Sequence, residues 1–545
     1  MKFDDVLEHH VGEFGPYQKW IYFLACIPAV AGAFMSLMPV FILAKPDFRC
    51  KLPFIENDTY HFQSEYHERL VNASVPIDTN IFGELQFAEC QLFDHGNASA
   101  NGILNSSLSS NSSRTFCDDW VYDNSVHITA ISDYDMVCEN EILVSHFKMI
   151  AFIGGLIGAF VNGILSDLFG RKRVFLCCLA FYTLATVVLI FSPNYLVFLA
   201  MRFFQGVFGS GVFMISFVYV MEVVGPHYRM FAGMFIEVFW CLGLFLLVGA
   251  AYFIRNWTHL LLVLSAPCVL LFSYIWILPE SPRWLFSVGK IKEAEAVLRR
   301  TAKVNGTELP EKLLEQVESE NQKEGKQKKE TGQVWKIVMY RVVLIRTLVV
   351  IFNRFALNMC YYGISLNVEH LSGNLYLSYT LSSVVETVAI IVILCFIKKF
   401  GRKPLYCCSM MLGSLGFLLS AFPIYLGSES DQKYSLGLVM VGKFGTSAAF
   451  AVMYVYGCEL FPTSIRNSAM GISFVVELLG GVVSPYIVDL GKLIGAESAA
   501  AFPMLVFGAV SFAAALLSLV LPETRNRQLP ETVEDAVRFG HLDIL

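Results

Sequence analysis

The sequence predicts an all-α, polytopic membrane protein in which twelve transmembrane helices form two six-helix halves. Three observations carry this. Of the 545 residues, 55% are hydrophobic and 16% charged, against roughly 25% charged in a soluble chain. The apolar residues gather in blocks of about 20 or more, each long enough to cross a hydrocarbon core about 30 Å thick. Short charged motifs recur in one order at nearly one spacing in the two parts of the chain.

The blocks run at 20–44, 143–165, 174–192, 196–222, 231–254, 259–278, 342–364, 373–397, 404–426, 434–460, 468–490 and 501–521. The segment 1–19 before them, beginning "MKFDDVLEHH", is acidic. The first block is too long for a signal h-region and no A-x-A site follows it, so it is expected to remain as a helix. The halves are 20–278 and 342–521, joined by the segment 279–341 and followed by a tail, 522–545.

Basic residues set the expected orientation. "GRKR" (170–173), "KKFGRK" (398–403) and the basic segment 279–341 belong on the cytoplasmic side. An even number of spans then places both termini in the cytoplasm of a multi-pass protein of the plasma membrane. The segment 45–142 falls outside. It carries five N-x-S/T sequons, at Asn57, Asn72, Asn97, Asn105 and Asn111, which accept glycans only in the lumen. It also holds Cys50, Cys90, Cys117 and Cys138. An even count in an oxidising compartment reads as two disulfides with three connectivities open. Asn305 falls inside and is expected to stay bare; Asn256 lies outside but against the membrane. The linker begins with an amphipathic helix, "KIKEAEAVLRRTAKVNG", which places Ala294, Val297, Leu298 and Ala302 on one face.

The halves repeat one another. "DLFGRKR" (167–173) matches "KKFGRKPLY" (398–406), "MEVVGPHYR" (221–229) matches "CELFPTSIR" (458–466), and "LPESPRW" (278–284) matches "LPETRNR" (521–527). The offsets are 402 − 171 = 231, 459 − 222 = 237 and 523 − 280 = 243. Parallel repeats place a substrate cavity between the halves near the bilayer midplane. The repeated charges read as a gate: Asp167, Arg171, Lys172 and Arg173, with Glu222 and Arg229, in the first half, and Arg402, Glu459 and Arg466 in the second. Ion pairs among them would hold the cytoplasmic side shut. The competing reading is plain positive-inside anchoring. Lys398 stands where the first half has Asp167, so the two halves cannot pair identically.

Charges also lie within the apolar blocks, where each costs at least about 2.5 kcal/mol and faces a cavity or a partner. Glu477 lies 477 − 466 = 11 residues beyond Arg466, about 16 Å along a helix. Glu237 occupies the equivalent fifth block and Glu386 the middle of the eighth. Arg354 is deep in the seventh block, and Arg346 lies near its start. Arg202 and Lys443 are repeat-equivalent and are placed near the outer ends, within snorkelling reach. Two readings compete. The acids line a cavity that attracts a cation, or they form structural ion pairs with bases such as Arg354. Three deep acids against one deep base favour the cavity. Phe213 and Phe217, Phe450 and Tyr454, Tyr361 and Tyr362, and Trp240 supply aromatic faces for cation–π attraction.

"NGILSDLFGRKR" resembles the loop signature of the major facilitator superfamily. "LPESPRWL", "SGNLYL", "ELFPTSIRN" and the large sequon-bearing loop after the first block are more narrowly similar to solute carrier family 22, the organic cation, carnitine and organic anion transporters. The likeness runs from "HVGEFGPYQK" to "LPETVEDA". It implies the major facilitator fold and polyspecific transport of organic cations by alternating access. It also implies the pairing Cys50–Cys117 and Cys90–Cys138. Cation carriers of the family match at Glu386 and hold a polar residue at Glu237. The family's charge-selective position, Arg in anion and carnitine carriers, matches Leu478 here, one residue from Glu477. Arg354 replaces a usual Trp, and Ser210 a frequent Lys. The absent Arg argues against an organic anion exchanger. A carnitine-like zwitterion, with Na⁺ coupling open and Arg354 meeting its carboxylate, is the alternative.

No phosphate-cradling loop, H-E-x-x-H or G-x-S-x-G lies in a plausible setting, so an enzyme, a primary pump and any catalytic, metal or cofactor site are not expected. A non-transporting receptor would not need the charged repeats. A proton-coupled sugar porter shares the fold but not the family motifs. The expected partners are the lipid bilayer and a small organic cation or zwitterion, not nucleic acid; assembly into homo-oligomers is left open.

Overall fold

A computed structural model describes residues 3–53, 55–79, 85–94, 113–125, 127–310, 339–367, 374–426, 429–462, 465–494, 501–527 and 533–539, with single positions 313, 317 and 530. Among them are twelve helices long and apolar enough to cross a membrane: α1 Pro16–Ile42, α2 Cys138–Phe169, α3 Arg171–Ile190, α4 Tyr195–Val223, α5 Pro226–Phe253, α6 Trp257–Ile277, α7 Arg341–Ser365, α8 Leu375–Phe400, α9 Arg402–Tyr425, α10 Tyr434–Leu460, α11 Ala469–Ile494 and α12 Ala501–Ser518. Each predicted block has its helix.

The halves pack alike. In the first, α1 packs on α5, α2 on α4, and α3 on α4 and α6; in the second, α7 packs on α11, α8 on α10, and α9 on α10 and α12. Small residues let these backbones approach. A side chain at Gly158 would meet the Val207 carbonyl of α4, and one at Gly416 the Gly442 backbone of α10. The halves join through α2 against α11 and α5 against α8, two contacts that exchange under the repeat.

One face of the bundle carries a disulfide-bonded cap between α1 and α2. It holds three antiparallel strand pairs, Phe48–Cys50 with Trp120–Tyr122, Ile77–Thr79 with Leu85–Phe87, and Gln91–Phe93 with Arg114–Phe116. Cys50 bonds to Cys117 and Cys90 to Cys138, so the second bridge fastens the cap to the start of α2. Within the cap lies a buried charge cluster. The Arg49 guanidinium donates to both Asp58 oxygens at 3.0 and 2.7 Å, and His67 Nε2 lies 2.9 Å from Asp58 Oδ1. Burial pushes the Asp58 carboxyl up, but hydrogen bonds from Arg49, the Leu52 N–H and His67 outweigh it and hold it below the usual range. Asn57 and Asn72 are exposed on the cap; Asn97, Asn105 and Asn111 lie outside the described residues.

The opposite face carries the amphipathic helix Ile291–Asn305, which buries Ile291, Ala294, Leu298, Thr301 and Ala302 against the N-terminal segment; Val297, expected on this face, is only half-buried. Asn305 is engaged there, accepting from the Tyr17 N–H at 3.0 Å and donating to the Val11 carbonyl at 2.9 Å.

Candidate functional site

Between the halves lies a cavity with room for about 130 Å³ of water, walled by α1, α2, α4 and α5 on one side and by α7, α8, α10 and α11 on the other. These are equivalent sets under the repeat. Its wall is aromatic, with Phe152, Phe213, Trp240, Tyr361, Tyr362, Phe450, Tyr454 and Phe474 facing it.

All three predicted acids line this cavity, together with Leu478 and Ser210. Two of them already have a cation. Glu477 meets Arg354 at 2.5 Å, both side chains 4% exposed, and Arg354 stands over the Tyr454 ring. Glu386 lies 3.0 Å from the Lys443 ammonium and accepts a hydrogen bond from the Tyr361 hydroxyl at 2.8 Å. Lys443 also donates to Ser365 Oγ at 2.6 Å and stands 3.5 Å over the Tyr361 ring. Tyr361 in turn accepts from Trp240 Nε1 of the first half at 3.1 Å. Glu237 has neither an ion pair nor a hydrogen bond among the described residues, though it lines the same cavity.

This corrects the placement of Lys443 and Arg202 at snorkelling depth. Lys443 is fully buried and neutralises Glu386; Arg202 is 2% exposed and donates to the Met35 carbonyl at 3.0 Å and to Gln205 at 3.2 Å. Four buried bases, Lys148, Arg202, Arg354 and Lys443, therefore stand around three acids, and only two of the bases, Lys443 and Arg354, pair with a cavity carboxylate among the described residues. Two expected lining residues stand elsewhere. Arg354 sits behind Glu477, outside the main cavity, and Phe217 packs on Tyr454 below it, ring centroids 6.0 Å apart. The sequence reading missed Lys148 of α2. It lines the cavity and donates to the Leu366 carbonyl and Asn367 Oδ1, each at 3.0 Å. Its position in the first turns of a block, like that of an interfacial lysine, concealed it.

The repeated charges gather at the face opposite the cap. Arg171 meets Glu222 at 2.9 Å and Asp167 at 2.6 Å. Arg402 meets Glu459 at 2.9 Å. Arg229 does not reach Glu222 but pairs with Asp4 of the N-terminal segment at 2.7 Å. Arg466 lies outside the described side chains. The third repeat adds a cap that the sequence reading left unused. Glu280 accepts from the Lys172 N–H at 3.0 Å, and Glu523 from the Arg402 and Lys403 N–H groups at 3.1 Å. Each carboxylate sits on the first turn of α3 or α9, where unpaired N–H groups favour negative charge. The preceding Gly170 and Gly401 turn at φ 104° and 93°, conformations that favour glycine. Their recurrence in the same order in both halves was the signal for this role. The pairs Arg171–Glu222, Arg171–Asp167 and Arg402–Glu459 each lie within one half.

Twelve spanning helices in two parallel repeats around a central cavity define a membrane transporter of the major facilitator fold. The solved structures agree. The proton:xylose symporter XylE bound to 6-bromo-6-deoxy-D-glucose aligns with TM-score 0.61 at 17% identity, covering 96% of this chain and 99% of that one. The inward open conformation of XylE from E. coli aligns at 0.63 and 17%, covering 96% and 100%. Among curated proteins, the organic cation transporter protein of Drosophila melanogaster is 35% identical over 99% of this chain and 95% of its own length. The human organic cation/carnitine transporter 2 is 30% identical over 98% and 94%. The mouse solute carrier family 22 member 21 is 31% identical over 99% and 94%. The Sugar (and other) transporter family matches residues 100–536. The chain belongs to that family of the major facilitator superfamily and, within it, to solute carrier family 22. It is a multi-pass membrane protein and a transporter, not an enzyme.

Proposed function

We propose that this transporter carries small organic cations across the plasma membrane, with the cap outside and both termini in the cytoplasm. The carrying observation is Glu237. It is the carboxyl group in the cavity wall without a cation among the described residues, while Lys443 and Arg354 neutralise Glu386 and Glu477. A guest cation gives Glu237 the direct partner it lacks, and the aromatic wall adds about 0.5–2 kcal/mol per cation–π contact. The names of the relatives, organic cation transporters among them, support the same reading. The zwitterion reading relied on Arg354, which Glu477 already engages. Five sequons on the cap side and the basic loops opposite support the orientation. The charge pairs at the cytoplasmic face act as the gate, each stiffening its own half.

The test is uptake into vesicles of a quaternary ammonium, carnitine and an aryl anion, at two membrane potentials, with and without Na⁺. Potential-driven uptake of the quaternary ammonium, lost in Glu237→Gln, is the expected result. Preferential uptake of the aryl anion would overturn the reading.

A further inference from the structure

We propose that Lys148 is the latch of the gate on the capped face, a positioning residue that holds α2 to the end of α7 and releases before the cavity opens there. Lys148 is 5% exposed, and two of its hydrogen bonds cross from the first half to the second. The acceptors, the Leu366 carbonyl and the Asn367 side chain, lie just past the last residue of α7, Ser365. A helix leaves its last carbonyls unpaired and carries partial negative charge there, so an ammonium is well placed.

Lys148 also stands in a wall. It lines the central cavity and, on its other side, a smaller cavity bordered by Glu141, Asp489 and Lys492. A molecule passing between the two must move past it.

The repeat gives a second argument. Lys148 precedes Arg171 by 171 − 148 = 23 residues, and Tyr379 precedes Arg402 by 402 − 379 = 23. Tyr379 of α8 packs on Phe41, in the last turn of α1, with ring centroids 4.9 Å apart. The equivalent residues of α2 and α8 thus reach crosswise to the ends of α7 and α1. One contact is aromatic; the other is a buried, charge-assisted pair of hydrogen bonds. Other bonds also join the halves on this face: Tyr376 of α8 donates its hydroxyl to the Ala251 carbonyl of α5 at 3.2 Å, a neutral bond, and Lys492 meets Glu141 at 2.7 Å between side chains 35% and 42% exposed, where pairs contribute little. The Lys148 ammonium is the buried charged link among these, and its release is the step assigned to opening.

The test reads accessibility and needs no substrate. Ser36, in the cavity wall, is changed to Cys in a chain whose exposed Cys177, Cys395 and Cys408 are replaced by Ser. A membrane-impermeant thiol reagent is then applied to sealed vesicles of each orientation. Lys148→Gln should raise labelling from the capped side about 10-fold, the loss of two charge-assisted bonds. Lys148→Arg should stay near the parent. Asn367→Ala, which removes one bond and leaves Lys148 on the Leu366 carbonyl, should raise labelling about 3-fold; it carries the test where Lys148→Gln does not reach the surface. Unchanged labelling in the neutral variants, or an equal rise in Lys148→Arg, overturns the latch. The outward orientation is a separate claim: a rise seen from the other side of the membrane would overturn that and leave the latch standing.

Discussion

A buried charge stripped of its partner costs far more than the intact pair contributes, and this separates the three carboxyl groups of the cavity. Glu237→Gln strands nothing, since no base among the described residues contacts it. Uptake of a quaternary ammonium should fall roughly 5- to 150-fold, the equivalent of about 1–3 kcal/mol of attraction at an effective dielectric near 20, with surface level unchanged. Glu386→Gln and Glu477→Gln leave Lys443 or Arg354 buried and alone, a cost of about 3–5 kcal/mol. Both should lower the surface level. Arg354→Gln added to Glu477→Gln should restore it, because the stranded charge is gone. Surface labelling alongside uptake checks each outcome, and a Glu477→Gln protein at full surface level with selectively lost uptake would assign that acid to the substrate. The acids were legible in the sequence as lone carboxyls within apolar blocks. Their partners were not. Pairing depends on how α8 and α10 rotate against each other, and Lys443, 443 − 386 = 57 residues from Glu386, carries no mark of it along the chain.

At the scale of elements, periodicity and punctuation were readable. Twelve apolar blocks gave twelve helices, and four cysteines gave two bridges, although only family likeness chose between pairings. The charged core of the cap was hidden, because Arg49, Asp58 and His67 come from a strand, a loop and a helix with no common spacing. That core makes a pH prediction. The Asp58 carboxyl titrates below its ordinary value. Its contribution to stability is therefore complete above about pH 4, the unfolded value, and is lost as pH falls through the lower folded value. Asp58→Asn should remove that support at every pH and leave Arg49 unpaired at 1% exposure, a loss of about 3–5 kcal/mol. Limited proteolysis of the intact protein reads both. The parent cap should resist cleavage at pH 7 and pH 5, while the Asp58→Asn cap should be cut at both. A variant as resistant as the parent would mean the disulfides alone hold this domain.

For the whole molecule, the repeat in the sequence was legible as two halves around a cavity; the state in which the halves stand was not. Contacts across the capped face join them, whereas Arg171–Glu222 and Arg402–Glu459 each stay within one half. If these pairs act by stiffening a half that rocks as a unit, they should act independently. Glu222→Gln leaves Arg171, 11% exposed, with only the exposed Asp167 as a partner; Glu459→Gln does the same to Arg402 without a substitute acid, since Lys398 occupies the equivalent place. Each change should slow turnover about 10-fold while cation affinity holds, and Glu459→Gln should be the more severe. Asp167→Asn should do less than either, because the Asp167 side chain is 72% exposed. The double variant, Glu222→Gln with Glu459→Gln, should match the product of the singles to within about 0.5 kcal/mol, as distant independent sites do. A double variant that departs from the product by about 1 kcal/mol or more would show a different mechanism: the pairs would exchange partners between halves during the cycle, and the gate on the face opposite the cap would be a bond across the interface instead of a brace within each side.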